Sequence, residues 1–354
     1  MPTTTTATSV TPGLADQLIE ERRRVDFDSY DITVQQLLSM VSQRQIDVAP
    51  TYQRRFRWNP PRQSHLIESV FLGIPVPNLF MATNANGTWE VVDGVQRLST
   101  IVHFAGDDDT RKVLGISEPL EIAGLEKLTE LNGLAFQKLP SSVQTQFLLR
   151  PLKVTTLSDK SDLKVRFDLF ERLNTGGLKL TDQEIRSCIY HGQFNEFLER
   201  LALTKDFKNV VVLRDSMEDD GTREEYVLRF FAFLNRYKMF EHSVVGFLND
   251  YMATASKSFD YINGEKLFLK TFSELARVFP KGISRRTRLT PVNLFEAVAV
   301  GAALALKTRS KLLSRSVMIW IDSEELKGMT TGGTNNKKMV IGRIEYVAKK
   351  FGAG

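Results

Sequence analysis

The feature that most constrains this chain is a change of hydrophobic period near its middle. Up to about residue 157, short runs of strand-forming residues alternate with amphipathic stretches of helical period. From 193 onward nearly every apolar pattern repeats with the period of a helix, over 194–203, 223–237, 242–255, 265–279, 292–307 and 343–351. A half-buried sheet needs period-2 segments, and the second half has almost none to offer. The expected class is therefore α+β, with an α/β N-terminal domain over 26–192 and an all-helical C-terminal domain over 193–354. Residues 1–25 are expected to form a flexible tail with a charged helical stretch from 14 to 24. The threonine-rich start has neither the basic segment nor the apolar core of a secretory signal.

Within the first half, the stretch from Thr88 to Ala105 is the most informative. Trp89, Val91 and Val92 favour a strand, Asp93-Gly94 breaks it, and Leu98, Ile101, Val102 and Ala105 then share one helical face before Gly106. A strand that turns tightly into a helix leaves backbone N–H groups at the positive end of the helix dipole, where phosphate is well placed. Asp93 is a good cap for that helix, Gln96 holds the capping-box position and Arg97 projects from the first turn. Two readings fit: a phosphate-binding turn, and a plain corner capped by an aspartate.

Other segments place polar groups at chain breaks. Tyr52-Gln-Arg-Arg-Phe-Arg-Trp58 interleaves arginines with aromatics, as an anion-binding segment or a surface loop anchored by its rings would. Thr33 is the expected cap of a helix up to Ser42, and Asn59-Pro60 starts another that buries Leu66, Ile67, Val70 and Phe71 before Gly73. Around Asn84-Ala-Asn-Gly87, two extended runs predict a hairpin that delivers the chain to Asp93. Asp107, Asp108 and Asp109 read as a solvated loop rather than a metal site. Short strands are expected after Arg111, then a helix capped by Ser141 and a strand at 152–157. A helix after Asp162 stops at Asn174-Thr-Gly-Gly177, whose bare backbone either caps it or closes over a ligand. Thr181 and Glu184 make a capping box. Arg186 and His191 have the spacing of some RNA-cleaving helical folds, a spacing that also arises easily by chance.

A net charge of +5 and a pI near 9.1 permit an anionic partner without demanding one. Arg285, Arg286 and Arg288 precede the apolar segment 292–306, and Lys307, Arg309, Lys311 and Arg315 follow it. The clusters read as a nucleic-acid track or as solvated helix ends. The apolar segment, interrupted by Asn293 and Glu296, is too short and too polar to span a bilayer. A single cysteine, Cys188, excludes an intramolecular disulfide, which favours a reducing, cytoplasmic setting.

Taken in order, Tyr52-Gln-Arg-x-Phe-x-Trp58, the run Leu-Ile-Glu-Ser-Val-Phe-Leu-Gly-Ile-Pro-Val-Pro from Leu66, Asp93-Gly-x-Gln-Arg97, Phe170-Glu-Arg-Leu-Asn-Thr-Gly-Gly and Leu180-Thr-Asp-Gln-Glu-Ile-Arg186 resemble the DGQQR-motif family. That family is typified by the N-terminal domain of GmrSD modification-dependent restriction enzymes and by the phosphorothioate-sensing protein SspE. The resemblance runs from about residue 31 to 191. It implies a ParB/sulfiredoxin-like α/β domain that binds, and in several members hydrolyses, nucleoside triphosphates, usually within anti-phage systems. By matching position it implies nucleotide contacts from Gln53, Arg54, Gly94, Arg97, Asn174, Thr175 and Gly176. From the chemistry at those positions, Asp93, Gln96 and Arg97 are expected to take the catalytic roles, with Asp93 binding Mg²⁺ or orienting water and Arg97 holding phosphate oxygens. Val95 stands where the family usually has its first glutamine, which leaves hydrolysis an open question.

The expected function is a nucleotide-binding, NTP-hydrolysing regulator or sensor of a restriction-type system. Many restriction members carry an HNH nuclease half. The histidines here, at 65, 103, 191 and 242, form no such pair in the second half, so the cleaving chemistry is expected either on a separately encoded nuclease subunit or not at all. Two alternatives stay open: a ParB-like DNA-binding adaptor using Arg285, Arg286, Arg288 and Lys311, and a structural subunit of a defence complex.

Overall fold

The computed structural model describes residues 26–48, 58–84, 86–158, 181–190, 192–218, 220–285, 289–313 and 316–352, with isolated positions at 13, 14, 16, 17, 167 and 172. The chain divides into two compact units, Met1–Lys179 and Leu180–Gly354. The first is mixed α/β and the second helical, as the change of period predicts.

The first unit holds a five-stranded sheet. Strand β1 (Phe27–Thr33) runs antiparallel to β5 (Pro151–Leu157), which runs parallel to β3 (Leu79–Thr83). β3 is antiparallel to β4 (Trp89–Asp93), and β4 is parallel to the short β2 (Ile46–Asp47), giving the order β1-β5-β3-β4-β2. The hairpin is the predicted one. β1 was not expected, because its side chains are exposed from Phe27 to Asp31 and show no alternation; its pairing to β5 is a matter of backbone bonds along an edge.

Helix starts in this unit obey local chemistry. Thr33 caps α1 (Val34–Ser42) by accepting from Gln36 N–H at 3.2 Å. Asn59 caps α2 (Pro60–Leu72) by accepting from Arg62 N–H at 3.1 Å, and Gly73 ends that helix in the left-handed conformation. α3 (Val95–Ala105) follows β4. Two expectations need correction. Asp107 is the cap of a short helix, α4 (Asp108–Val113), and accepts from Thr110 N–H at 2.8 Å; Asp108 and Asp109 pair with Arg111 and Lys112. Acids in its first turn and bases in its last complement the helix dipole. Between Val113 and Ser141 the described residues form 3-10 turns at Thr129–Leu131 and Phe136–Lys138 instead of strands. α5 (Ser141–Leu148) then begins after Pro140 with no side-chain cap, so Ser141 is its first residue. The Phe104, Phe136 and Phe147 rings, with Phe71, fill the core at centroid separations of 4.8–6.3 Å.

The second unit contains α6 (Asp182–Ile189), α7 (Gln193–Ala202), α8 (Lys205–Val210), α9 (Thr222–Arg236), α10 (Val244–Ala255), α11 (Tyr261–Val278), α12 (Val292–Leu306), α13 (Val317–Trp320), α14 (Glu324–Thr330) and α15 (Lys337–Lys350). No strand occurs among its described residues. The Thr181–Glu184 capping box is formed. α6 lies against α9 and α10, and so packs with this unit. α12 is the buried helix its composition predicts, and it approaches α15 so closely that a Cβ on Gly301 would lie 2.8 Å from Ala348 N.

A chain of alternating charges crosses this core. Glu225 accepts from Arg186 and from Arg229 at 2.8 Å; Glu296 accepts from Arg229 at 2.6 Å and from Arg343. Arg186 is therefore a buried structural cation, which accounts for it without any RNA-cleaving role. His191 lies outside the described residues.

Candidate functional site

The predicted strand-to-helix junction exists, but it is built differently from a capped corner. Phe80 faces Asp93 and Met81 faces Val91, so Val92 is an extra residue that bulges β4 just before its end. Gly94 then adopts φ 97°, and a Cβ there would lie 2.5 Å from Leu79 Cδ2 and 3.0 Å from Arg97 Nη2. Gly94 is the N-cap of α3, and no side chain caps the first turn. The Asp93–Gln96 capping box is thus not formed. Asp93 Oδ2 instead accepts from Arg97 Nη2 at 2.7 Å, and the same nitrogen donates to Asn78 O at 3.0 Å. Arg97 is 13% exposed and Asp93 33%, and the buried Arg97 Nε has no hydrogen-bond partner.

Gln96 is tied elsewhere. Its Oε1 accepts from Trp58 N–H at 3.2 Å, while Trp58 O accepts from Gln63 Nε2 at 2.7 Å. Gln63 Oε1 lies 2.8 Å from His103 Nδ1, whose Nε2 is 3.1 Å from Glu118 O. Both ring nitrogens face oxygens, a pattern that a protonated ring satisfies best. Burial opposes this and lowers the His103 pKa, the Glu118 carbonyl pulling the other way and Arg111 adding to the lowering. This relay fastens Trp58, which closes the arginine-rich segment, to the helix that carries Arg97.

Asn78 also lines a cavity of about 330 Å³, with Gly73, Ile74, Val76, Arg150 and Lys153 among its walls. Sequence reasoning missed Asn78 and Arg150, because a backbone acceptor beside Pro77 and an arginine before a strand carry no motif. Gln53, Arg54, Asn174, Thr175, Gly176, Arg286 and Arg288 lie outside the described residues. Arg285 is turned inward, donating to Ile321 O at 2.8 Å and Thr330 Oγ1 at 2.7 Å, and burial pulls its pKa down. Lys311 is exposed. Val95 is 8% exposed and belongs to the core. Among the described residues no group of three or more His, Cys, Asp or Glu is placed to hold a metal ion.

Residues 34–191 match the family model described as GmrSD restriction endonuclease, N-terminal domain. That stretch, a little under half of the chain, is similar to a GmrSD-type N-terminal domain. The chain matches no curated protein and no solved structure. Within the matched stretch, the run from Leu66 forms α2, its Gly73 stop and one wall of the cavity. The motif at Asp93–Arg97 forms the bulged junction, and Thr181–Arg186 supplies a capping box and a buried cation. No helix among the described residues is long and apolar enough to cross a membrane.

Proposed function

We propose that this chain is a nucleotide-responsive component of a restriction-type anti-phage system, and that a nucleoside triphosphate sets its phosphates at the junction of β4 and α3. The observation that carries the proposal is a pairing at one corner. A glycine opens a helix whose first turn has no side-chain cap, beside a guanidinium fixed by Asp93 and Asn78 whose Nε has no acceptor. Helix N-terminal amides and arginine forks both select phosphate oxygens.

In this reading Arg97 binds phosphate, and Asp93 positions Arg97 and offers one carboxylate to Mg²⁺. That ion is commonly held by one or two carboxylates with substrate phosphates and water, so a single aspartate fits it. When bound, Mg²⁺ supplies neutralisation of phosphate charge. Gln96 orients water near the phosphates. Through Trp58 it also couples the junction to the segment bearing Gln53 and Arg54, while Asn174, Thr175 and Gly176 add contacts. Val95 faces the core, which supports a reading in which it alters packing and leaves NTP hydrolysis intact. The family's name supports the restriction setting, and the cleaving chemistry is assigned to a separately encoded nuclease subunit.

The test is thermal unfolding with Mg²⁺ and each ribonucleoside triphosphate, for wild type and Arg97→Ala. At a hundredfold excess over Kd, linkage stabilises the wild type by about 2.7 kcal/mol. Arg97→Ala should gain nothing. If neither protein is stabilised while the variant alone melts lower, Arg97 is a structural residue and the nucleotide reading fails.

A further inference from the structure

The modest net charge of the chain conceals a strong polarity. Residues 261–354 hold 17 Lys and Arg against 7 Asp and Glu, leaving 30 against 35 for the first 260 residues. The structure gathers much of that excess at one place in the helical unit. Lys270 Nζ on α11 donates to Leu306 O and Arg309 O, both at 3.1 Å, where α12 ends. Arg277, two turns further along α11, donates to Leu312 O at 3.2 Å, and Arg309 donates to Gly352 O beyond the end of α15. Lys307 and Lys311 flank Arg309, and Lys349 and Lys350 close α15. All seven cations are exposed.

Helix dipoles account for only part of this cluster. The C-termini of α12 and α15 each offset about half a charge. Glu274, bonded to Arg277 and to Leu312 N–H, offsets one more. The remaining excess is on the order of five positive charges, held on three converging segments rather than spread along one helix.

We infer that this face binds the phosphate backbone of duplex DNA without reading its sequence. Charge complementarity selects a polyanion, because a single small anion leaves most of the cluster unneutralised. The side chains select duplex over single strand. Sequence-tolerant binding of single strands relies on bases stacked on exposed rings. Here the neighbouring Tyr346 is half-buried and Lys350 lies over it, 5.2 Å from the ring centre. The inference is independent of the nucleotide site, since it uses none of the residues of the first unit.

Lys307, Lys311, Lys349 and Lys350 are the residues to change, because Lys270 and Arg309 also hold backbone carbonyls. The experiment measures fluorescence anisotropy of a labelled random-sequence duplex against the full chain over a range of salt. The variant replaces those four lysines by glutamine; a control of equal charge change replaces the exposed Lys112, Lys127, Lys138 and Lys257. Wild type and control should bind alike. The variant should bind at least tenfold more weakly at low salt, with its slope of log K against log salt reduced by about 3–4, close to 0.9 per lost phosphate contact. The inference is overturned if wild type does not bind the duplex, if the control loses as much as the variant, or if wild type prefers a single strand. Binding to vesicles rich in anionic lipid but not to DNA overturns it as well, and assigns the face, with its exposed Leu313, to a membrane surface.

Discussion

Replacing Glu296 by glutamine probes the helical unit at its most charged point. Glu296 is 0% exposed and accepts from Arg229 at 2.6 Å and from Arg343, which is itself fully buried. Glutamine keeps the shape but removes the charge, so two guanidinium groups lose a counter-ion where water does not reach. Breaking a buried pair in this way costs about 3–5 kcal/mol. For a unit of this size each kcal/mol moves Tm by roughly 2–4 °C, so calorimetry should show its transition falling by roughly 6–20 °C. A second variant checks the cause. Replacing Glu296 by leucine together with Arg343 by methionine removes both charges, a swap that is often neutral or stabilising when volumes match. It should recover most of the loss, since Arg229 keeps Glu225 at 2.8 Å. A fall below about 2 °C for Glu296→Gln would refute the reasoning, because the arginines would then be shown to need no buried counter-ion.

Gly94→Ala forces an L side chain to φ 97° with its Cβ 2.5 Å from Leu79 Cδ2. A strained residue of this kind costs about 1–3 kcal/mol, so Tm should drop and nucleotide-dependent stabilisation should vanish with it. Val95→Gln puts an amide into the core and should cost about 1–3 kcal/mol with no gain in phosphate release, measured on the purified chain. Burial raises the Glu225 pKa, but Arg229 and Arg186 outweigh it and hold the carboxyl below its usual 4.5. A depressed carboxyl contributes stability that is complete above about pH 4.5 and is lost as pH falls through the lowered value. The urea midpoint of the helical unit should therefore decline below that pH, and Glu225→Gln should flatten the decline.

What was legible in the sequence was local. Thr33, Asn59 and Thr181 cap the helices they precede because a cap bonds within three residues of itself. The change of period separated sheet from bundle because burial imposes it on every element. The junction was placed correctly at Asp93–Arg97, yet its construction was misread. β4 carries a bulge against β3 and Asp93 bonds Arg97 instead of capping the helix, and nothing within β4 announces its partner's register. β1 escaped notice because an exposed edge strand has no hydrophobic alternation. The short α13 and α14 run for less than the two turns over which a period can be seen. The buried charge chain was invisible for another reason: its members are solvent-loving types drawn from α6, α9, α12 and α15, and only the fold brings them together.

The central claim is that Arg97 and the uncapped start of α3 hold a triphosphate. It is tested most directly by equilibrium binding of a slowly hydrolysed nucleoside triphosphate analogue, with Mg²⁺, to wild type and Arg97→Lys. Lysine keeps the positive charge beside Asp93 but loses the fork that grips phosphate and carboxylate at once. The account predicts saturable binding to wild type, and binding at least tenfold weaker for the variant at nearly unchanged Tm. Equal affinities, or no saturable binding of any nucleotide to wild type, would contradict it.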